Sequence, residues 1–393
     1  MTDRERMLAA IRGEAPDRIP FVPRLEFWYR ARKRTGTLPR ELDGLSLIEI
    51  ADLLGVGYYA IVPDLAERSD ELDMVDYAIG IYRSPALLFE PVMEDVKRCV
   101  RRDGHRTVVD YHTPVGSIQT ATTFTEEMLE AGASVPWRTR YAIEKPEDID
   151  VVGFIFSRTR LEPRIERWLE RQAEVGERGL VFAWASGSAC PMHHILRELM
   201  EVEQFFYACH DYPEKIHWLA EQMEPYYEGL KEICASSAAP VVLLGGNYDD
   251  AITHPRFFRQ YILPALGGYA ERLHRQGKYL ATHTDGENRR LLGLYREADI
   301  DAADSVCPHP MTSVRLEEFF EAFAGKITLI GGIPSVLLCR DSCPEEEFRR
   351  SVDELIARYA RQARFILGVS DMVTADAEWD RLRHLAERIG AIA

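Results

Sequence analysis

Apolar positions along the chain fall into two alternating rhythms. Short continuous runs such as Val241-Val242-Leu243-Leu244, Ile327-Thr328-Leu329-Ile330 and Phe365-Ile366-Leu367 lack the in-out alternation of a half-solvated strand. They read instead as strands of a parallel sheet covered on both faces. Between them lie segments whose apolar residues recur at three and four, the spacing of an amphipathic helix. Strands beginning near residues 18, 57, 179, 240, 279, 301, 327 and 365, each followed by helix, predict an α/β fold of the (β/α)8 TIM barrel type, with residues 1–393 as one domain. No Gly-x-Gly-x-x-Gly follows the first strand, which argues against a doubly wound sheet.

Residues from about 76 to 124 break this rhythm. Residues 96–100 and 107–111 flank an Asp103-Gly104 turn, so an antiparallel β insertion after the second strand is expected. Helical spacing is read over residues 161–174. Pro264 is expected to kink the helix over 255–277, and Ser342-Cys343-Pro344-Glu345 reads as a capping box.

Composition narrows the function classes. A net charge of -16 and a pI near 5.3 oppose partners that need positive charge, so neither nucleic acid nor an anionic membrane is expected. Seven cysteines without a regular framework suit free thiols in a reducing compartment. No apolar stretch reaches membrane-spanning length, and the charged, helically patterned N-terminus is unlike a signal peptide. A cytoplasmic protein acting on a small molecule is the expectation.

Barrel enzymes keep their chemistry at the C-terminal ends of strands. That rule selects Arg24 and Glu26, Asp64, Trp184 and Ser186, Asn247 with Tyr248 and Asp249, His283 with Asp285, Asp304 with Cys307 and His309, and Ser370 with Asp371. His283 and Asp285 are two apart, so on an extended strand they project to one side, as two ligands of one ion or two members of an acid/base pair do. Several carboxylates in one cavity repel one another unless a cation is present, which points to a divalent metal. The alternatives are structural: a hydrogen-bonded His283–Asp285 pair, Asp371 as a helix cap, and Glu26 as a partner of Arg24 or Arg30.

Taken in order and spacing, Asp148 with the preceding Tyr141-Ala142-Ile143, the run from Tyr248-Asp249-Asp250 to Pro255-Arg256-Phe257-Phe258, Leu263-Pro264, His283-Thr284-Asp285-Gly286, Gly331-Gly332-Ile333 and Ile366-Leu367-Gly368 resemble the uroporphyrinogen decarboxylase superfamily, in its corrinoid-linked methyltransferase branch. The resemblance implies a site at the strand C-terminal mouth and, in thiol-directed members, zinc held by a His-x-Cys pair and a later Cys. Here the pair is His283-x-Asp285 and the late strand ends at Asp371. That harder donor set suits zinc or another divalent ion with open positions, so demethylation of an ether or amine replaces thiol methylation as the implied reaction. The methyl group would pass to a corrinoid on a partner protein, and a homodimer is the expected assembly.

On this reading His283, Asp285 and Asp371 hold the metal, while Glu26, Asp249 and His283 carry the catalytic roles. Arg24, Trp28, Trp184, Asn247 and Tyr248 bind the donor, a small molecule such as a methoxylated aromatic. True porphyrinogen decarboxylases resemble Met-Arg-Gln-Ala-Gly-Arg after the first strand, whereas Pro23-Arg24-Leu25-Glu26-Phe27-Trp28 offers only Arg24. A carboxy-lyase acting on a cyclic or aromatic acid and a non-catalytic tetrapyrrole- or corrinoid-binding barrel are the alternatives. Whether Asp304 or Cys307 joins the site stays open at this level.

Overall fold

The computed structural model describes residues 1–62 and 75–391, so Asp64 lies outside the described residues. Seven strands, Tyr58–Val62, Gly179–Ser186, Val241–Leu244, Tyr279–His283, Ala302–Val306, Thr328–Ile333 and Phe365–Val369, pair in chain order and all in parallel. Nearly every residue in them is buried, as expected where helices cover the outer face and side chains fill the inner one. The sheet curls until its two edges reach the same short segment. Val22 N–H donates to Leu367 O (2.8 Å), Leu367 N–H to Pro20 O (2.9 Å), and Gly57 N–H to Phe21 O (2.9 Å). At the position expected for the first strand, the chain makes a single bridge, Phe21 to Leu367. Pro20 and Pro23 explain this, since neither has a backbone N–H to extend a ladder.

The antiparallel insertion is present and larger than expected. Lys97–Asp103, Arg106–Thr113, Gly116–Thr123 and Trp137–Arg140 form a four-stranded sheet whose first turn is the Asp103-Gly104 pair. A second ribbon pairs Phe89–Met93 with Thr159–Pro163. Residues 161–163 are therefore strand rather than helix, and the helix starts at Glu166 and runs to Val175. Sequence-distant pairing overrode the local spacing. The fully buried Asp76 carboxylate ties the insertion to the segment before it. It accepts from Arg83, from Arg98 (2.6 Å) and from the Tyr111 hydroxyl (3.0 Å).

The helix after Val241–Leu244 is interrupted where Pro264 predicts. A π turn at Phe258–Ile262 separates Pro255–Phe257 from Leu263–His274, which restarts with the proline in its first turn. The expected capping box at Ser342 does not form. Ser342 N–H bonds Cys339 O, and Glu345–Tyr359 begins beyond Pro344 with no side-chain cap. No described helix is long and apolar enough to cross a membrane.

Candidate active site

His283 ends the strand Tyr279–His283, and parallel register sets Asp304 of the neighbouring strand directly beside it. The imidazole Nδ1 lies 2.7 Å from Asp304 Oδ2, and the Asp304 carboxylate is fully buried. On the other side of the ring, Nε2 faces two carboxylates, Asp285 Oδ1 at 3.4 Å and Asp371 Oδ1 at 3.6 Å. Ser305 Oγ is 3.3 Å from Asp304 Oδ2 and 3.2 Å from Asp371 Oδ1, within reach of both. Asn247 Nδ2 donates to Asp285 Oδ2 (3.0 Å), and Arg24 stands 3.7 Å from Asp371 while covering the Tyr59 ring.

The backbone is bent to make this cluster. Asn247, Ser305 and Ser370 are non-glycine residues with φ of 54°, 62° and 34°, each at a strand end beside the imidazole or its carboxylates. Left-handed backbone at such positions costs of order 1–3 kcal/mol per residue, and it persists where the surroundings dictate it. Gly246 supplies clearance, because a Cβ there would sit 2.8 Å from the His283 Cβ.

Charge sets the protonation pattern. Burial alone would drive the His283 pKa down, but Asp285, Asp304 and Asp371 outweigh it and raise the pKa well above its ordinary value. Burial alone would raise Asp285 and Asp304, yet the facing imidazolium lowers both. Arg24 behaves likewise: desolvation opposes its charge, and Glu26, Asp371 and Asp304 more than restore it. The buried Tyr59 phenol is pushed up by desolvation and by Asp304, so it stays protonated.

Of these groups, His283, Asp371 and Arg24 line a cavity of about 260 Å³. Its walls include Phe27, Trp184 and Leu243 and, from the insertion side, Tyr77, Tyr82 and Val135, with Arg24, Arg197 and Asn247 as polar lining. That size is below the roughly 300–1,000 Å³ typical of sites for drug-sized ligands. A single-ring substrate fits it better than an enclosed tetrapyrrole.

Among the described residues no preformed cluster of three metal ligands is found. The donor set nevertheless fits a shared ion. Zinc bonds of about 2.0–2.2 Å at tetrahedral angles put neighbouring donor atoms roughly 3.3–3.6 Å apart, the spacing at which Nε2 faces Asp285 and Asp371. Asp285 Oδ1 is also buried without a hydrogen bond. Residues 169–391, which carry the whole cluster, match the uroporphyrinogen decarboxylase (URO-D) family. The chain belongs to that family. Its architecture is similar to that of a methyltransferase from Methanosarcina mazei, with a TM-score of 0.55 and 13% identity over 99% of this chain and 98% of that one. No curated protein matches the chain.

Within this URO-D barrel the expected site residues separate into two groups. His283, Asp285 and Asp371 converge, joined by Asp304, and Arg24, Trp184 and Asn247 line the same cavity. The others are placed elsewhere. Trp28 is fully buried, stacks on Trp379 at 5.6 Å and donates its indole N–H to Ala377 O (2.9 Å). Because the helix Glu26–Thr35 begins immediately after the bend, this ring turns into the core while Phe27 takes the cavity wall. Tyr248 is likewise core, stacked on His193 with its hydroxyl on Thr282 Oγ1 (2.9 Å). Asp249 caps its own turn, accepting from Ala251 N–H (2.8 Å), and Glu26 is buried beside Arg24 rather than lining the cavity. The Cys307 thiol points at Ser305 O, and burial pushes its pKa up to about 12. Arg197, Tyr77 and Tyr82 were not expected from the sequence.

Trp28→Phe is therefore expected to lower the unfolding free energy by about 1–3 kcal/mol, through the lost hydrogen bond and contact area, while kcat/KM stays unchanged. Denaturant unfolding beside steady-state kinetics checks this, and a fall in kcat/KM without a stability change would return Trp28 to the site.

Proposed function

We propose that the protein is a methyltransferase that removes a methyl group from the heteroatom of a small donor and delivers it to a corrinoid on a separate protein. The observation that carries this reading is the placement of His283 Nε2 within 3.4 Å of Asp285 and 3.6 Å of Asp371, with His283 and Asp371 lining a small aromatic-walled cavity. Zinc or a similar ion held by these three side chains would supply a Lewis acid for the donor heteroatom. Asp304, on Nδ1, orients the imidazole and keeps Nε2 turned to the cavity, the usual task of a carboxylate behind a metal-binding histidine. Arg24 limits repulsion between Asp371 and its neighbours, Asn247 fixes the Asp285 rotamer, and the Phe27, Tyr82 and Trp184 walls keep water from the reacting heteroatom.

A carboxy-lyase reading has one specific support, the two guanidinium groups of Arg24 and Arg197 on the same cavity. The two are separated by incubating zinc-loaded protein with 4-methoxybenzoate and cob(I)alamin. Loss of the Co(I) absorbance with release of 4-hydroxybenzoate is the expected result. Release of carbon dioxide, or equal turnover by fully metal-depleted protein, would overturn the proposal.

A further inference from the structure

Among the described residues, the Arg197 end of the cavity sets two guanidinium groups against one buried carboxylate. Arg197 projects from a π turn, Ile195–Leu199, and lines the cavity. Among the described residues it forms one ion pair, with Glu198 Oε1 at 3.6 Å, and Glu198 is also in close contact with Arg138. Two guanidinium groups thus share one carboxylate, and Arg138 lies over the Tyr77 ring, 4.4 Å from its centroid.

Arg197 is held in place by neutral acceptors: NH1 by Gly187 O and Ser188 Oγ, and NH2 by Asn247 Oδ1 (3.1 Å). These three bonds leave part of a five-donor guanidinium for a ligand. Through Asn247, the same side chain is linked to Asp285, so cation end and acidic floor are braced against each other. Beside Arg197 the wall is aromatic: Tyr82 meets Trp184 edge-on at 4.9 Å and Tyr77 at 5.7 Å.

We propose that Arg197 anchors the carboxylate of a single-ring aromatic acid, which lies against the wall formed by Tyr82, Tyr77 and Trp184 with its opposite end at His283. The cavity size selects one ring, the walls select a flat apolar body, and a guanidinium held by three neutral acceptors selects an anionic head. This deepens the proposed function by naming its substrate class, and it rests on that reading only for which end of the ligand reacts.

Calorimetric titration of the full-length protein with benzoate and, separately, benzyl alcohol tests the anchor without turnover. Benzoate is expected to bind about ten- to hundredfold more tightly than the alcohol, the range for one charge-assisted contact. Arg197→Gln is expected to bring benzoate down to the level of the alcohol and to leave the alcohol unchanged. Arg197→Lys, which keeps the charge but not the fork, should fall between. Equal binding of acid and alcohol by the wild-type protein, or an acid preference retained in Arg197→Gln, would overturn the anchor. If the glutamine variant fails to fold, the wild-type preference and the lysine variant still decide, with wild-type-like benzoate affinity in Arg197→Lys counting against a bidentate anchor. Absent methyl transfer with the acid preference intact would count against the proposed function and not against Arg197.

Discussion

If the proposed function holds, His283→Ala is expected to reduce methyl transfer by about 10³-fold or more and to abolish stoichiometric binding of a divalent ion. The imidazole faces both Asp285 and Asp371, and it is the group through which Asp304 acts on the site. Removing a side chain that serves both as ligand and as pivot of the cluster sits at the upper end of the 10²–10⁴-fold range for a single acid/base or orienting group. Metal analysis and kcat/KM on the same preparation check it, and turnover within tenfold of wild type would remove His283 from the chemistry. pH supplies a second readout. The three carboxylates hold a proton on His283 beyond the ordinary imidazole range, and a metal must displace that proton. Apparent zinc affinity should therefore climb with pH until the raised value is passed, then level off.

Asp304→Ala is expected to lower the unfolding free energy of metal-stripped protein by about 3–5 kcal/mol, because it leaves a largely buried imidazolium without its shortest partner. The pH dependence of this loss has a definite sign. His283 holds its proton more tightly when folded, so its contribution is complete below about 6.5 and fades as pH rises through the raised folded value. Asp304 holds its proton less tightly when folded, so its contribution is complete above about 3.8 and is lost as pH falls through the depressed value. The gap between wild type and variant should be widest between roughly pH 4 and pH 6.5 and narrow on either side. Thermal unfolding across that range measures it, and a gap that is constant from pH 4 to pH 9 would mean that the pair contributes packing rather than charge.

Much of the scaffold was legible because buried parallel strands write themselves as uninterrupted apolar runs. Residues 279–283 and 365–369 were found where expected, and the Asp103-Gly104 turn marked the insertion. What local pattern could not show was pairing at a distance. Phe89–Met93 lies opposite Thr159–Pro163 only through tertiary contact, so residues 161–163 kept a helical appearance. The site divides in the same way. The pairing of His283 with Asp285 was readable from their two-residue spacing, although the strand ends at His283 and Asp285 lies past it, whereas the short Asp304 contact depends on the register of a second strand. Trp28 was misplaced because closeness to a strand end says nothing about which way the first helical turn points its rings. Arg197 had no signal in the sequence at all, since a π turn reaims a side chain that regular helical spacing would have pointed elsewhere.

Part of the aromatic wall comes from a stretch of chain separate from the reacting floor. His283, Asp285, Asp304 and Asp371 fall within the matched segment 169–391, whereas Tyr77, Tyr82 and Val135 precede it. Evolution can therefore edit the two independently. Lineages that exchange or remodel the earlier stretch would acquire new diets while inheriting the same bond-breaking apparatus, and grafting that stretch between relatives is a direct way to move a feeding preference from one to another.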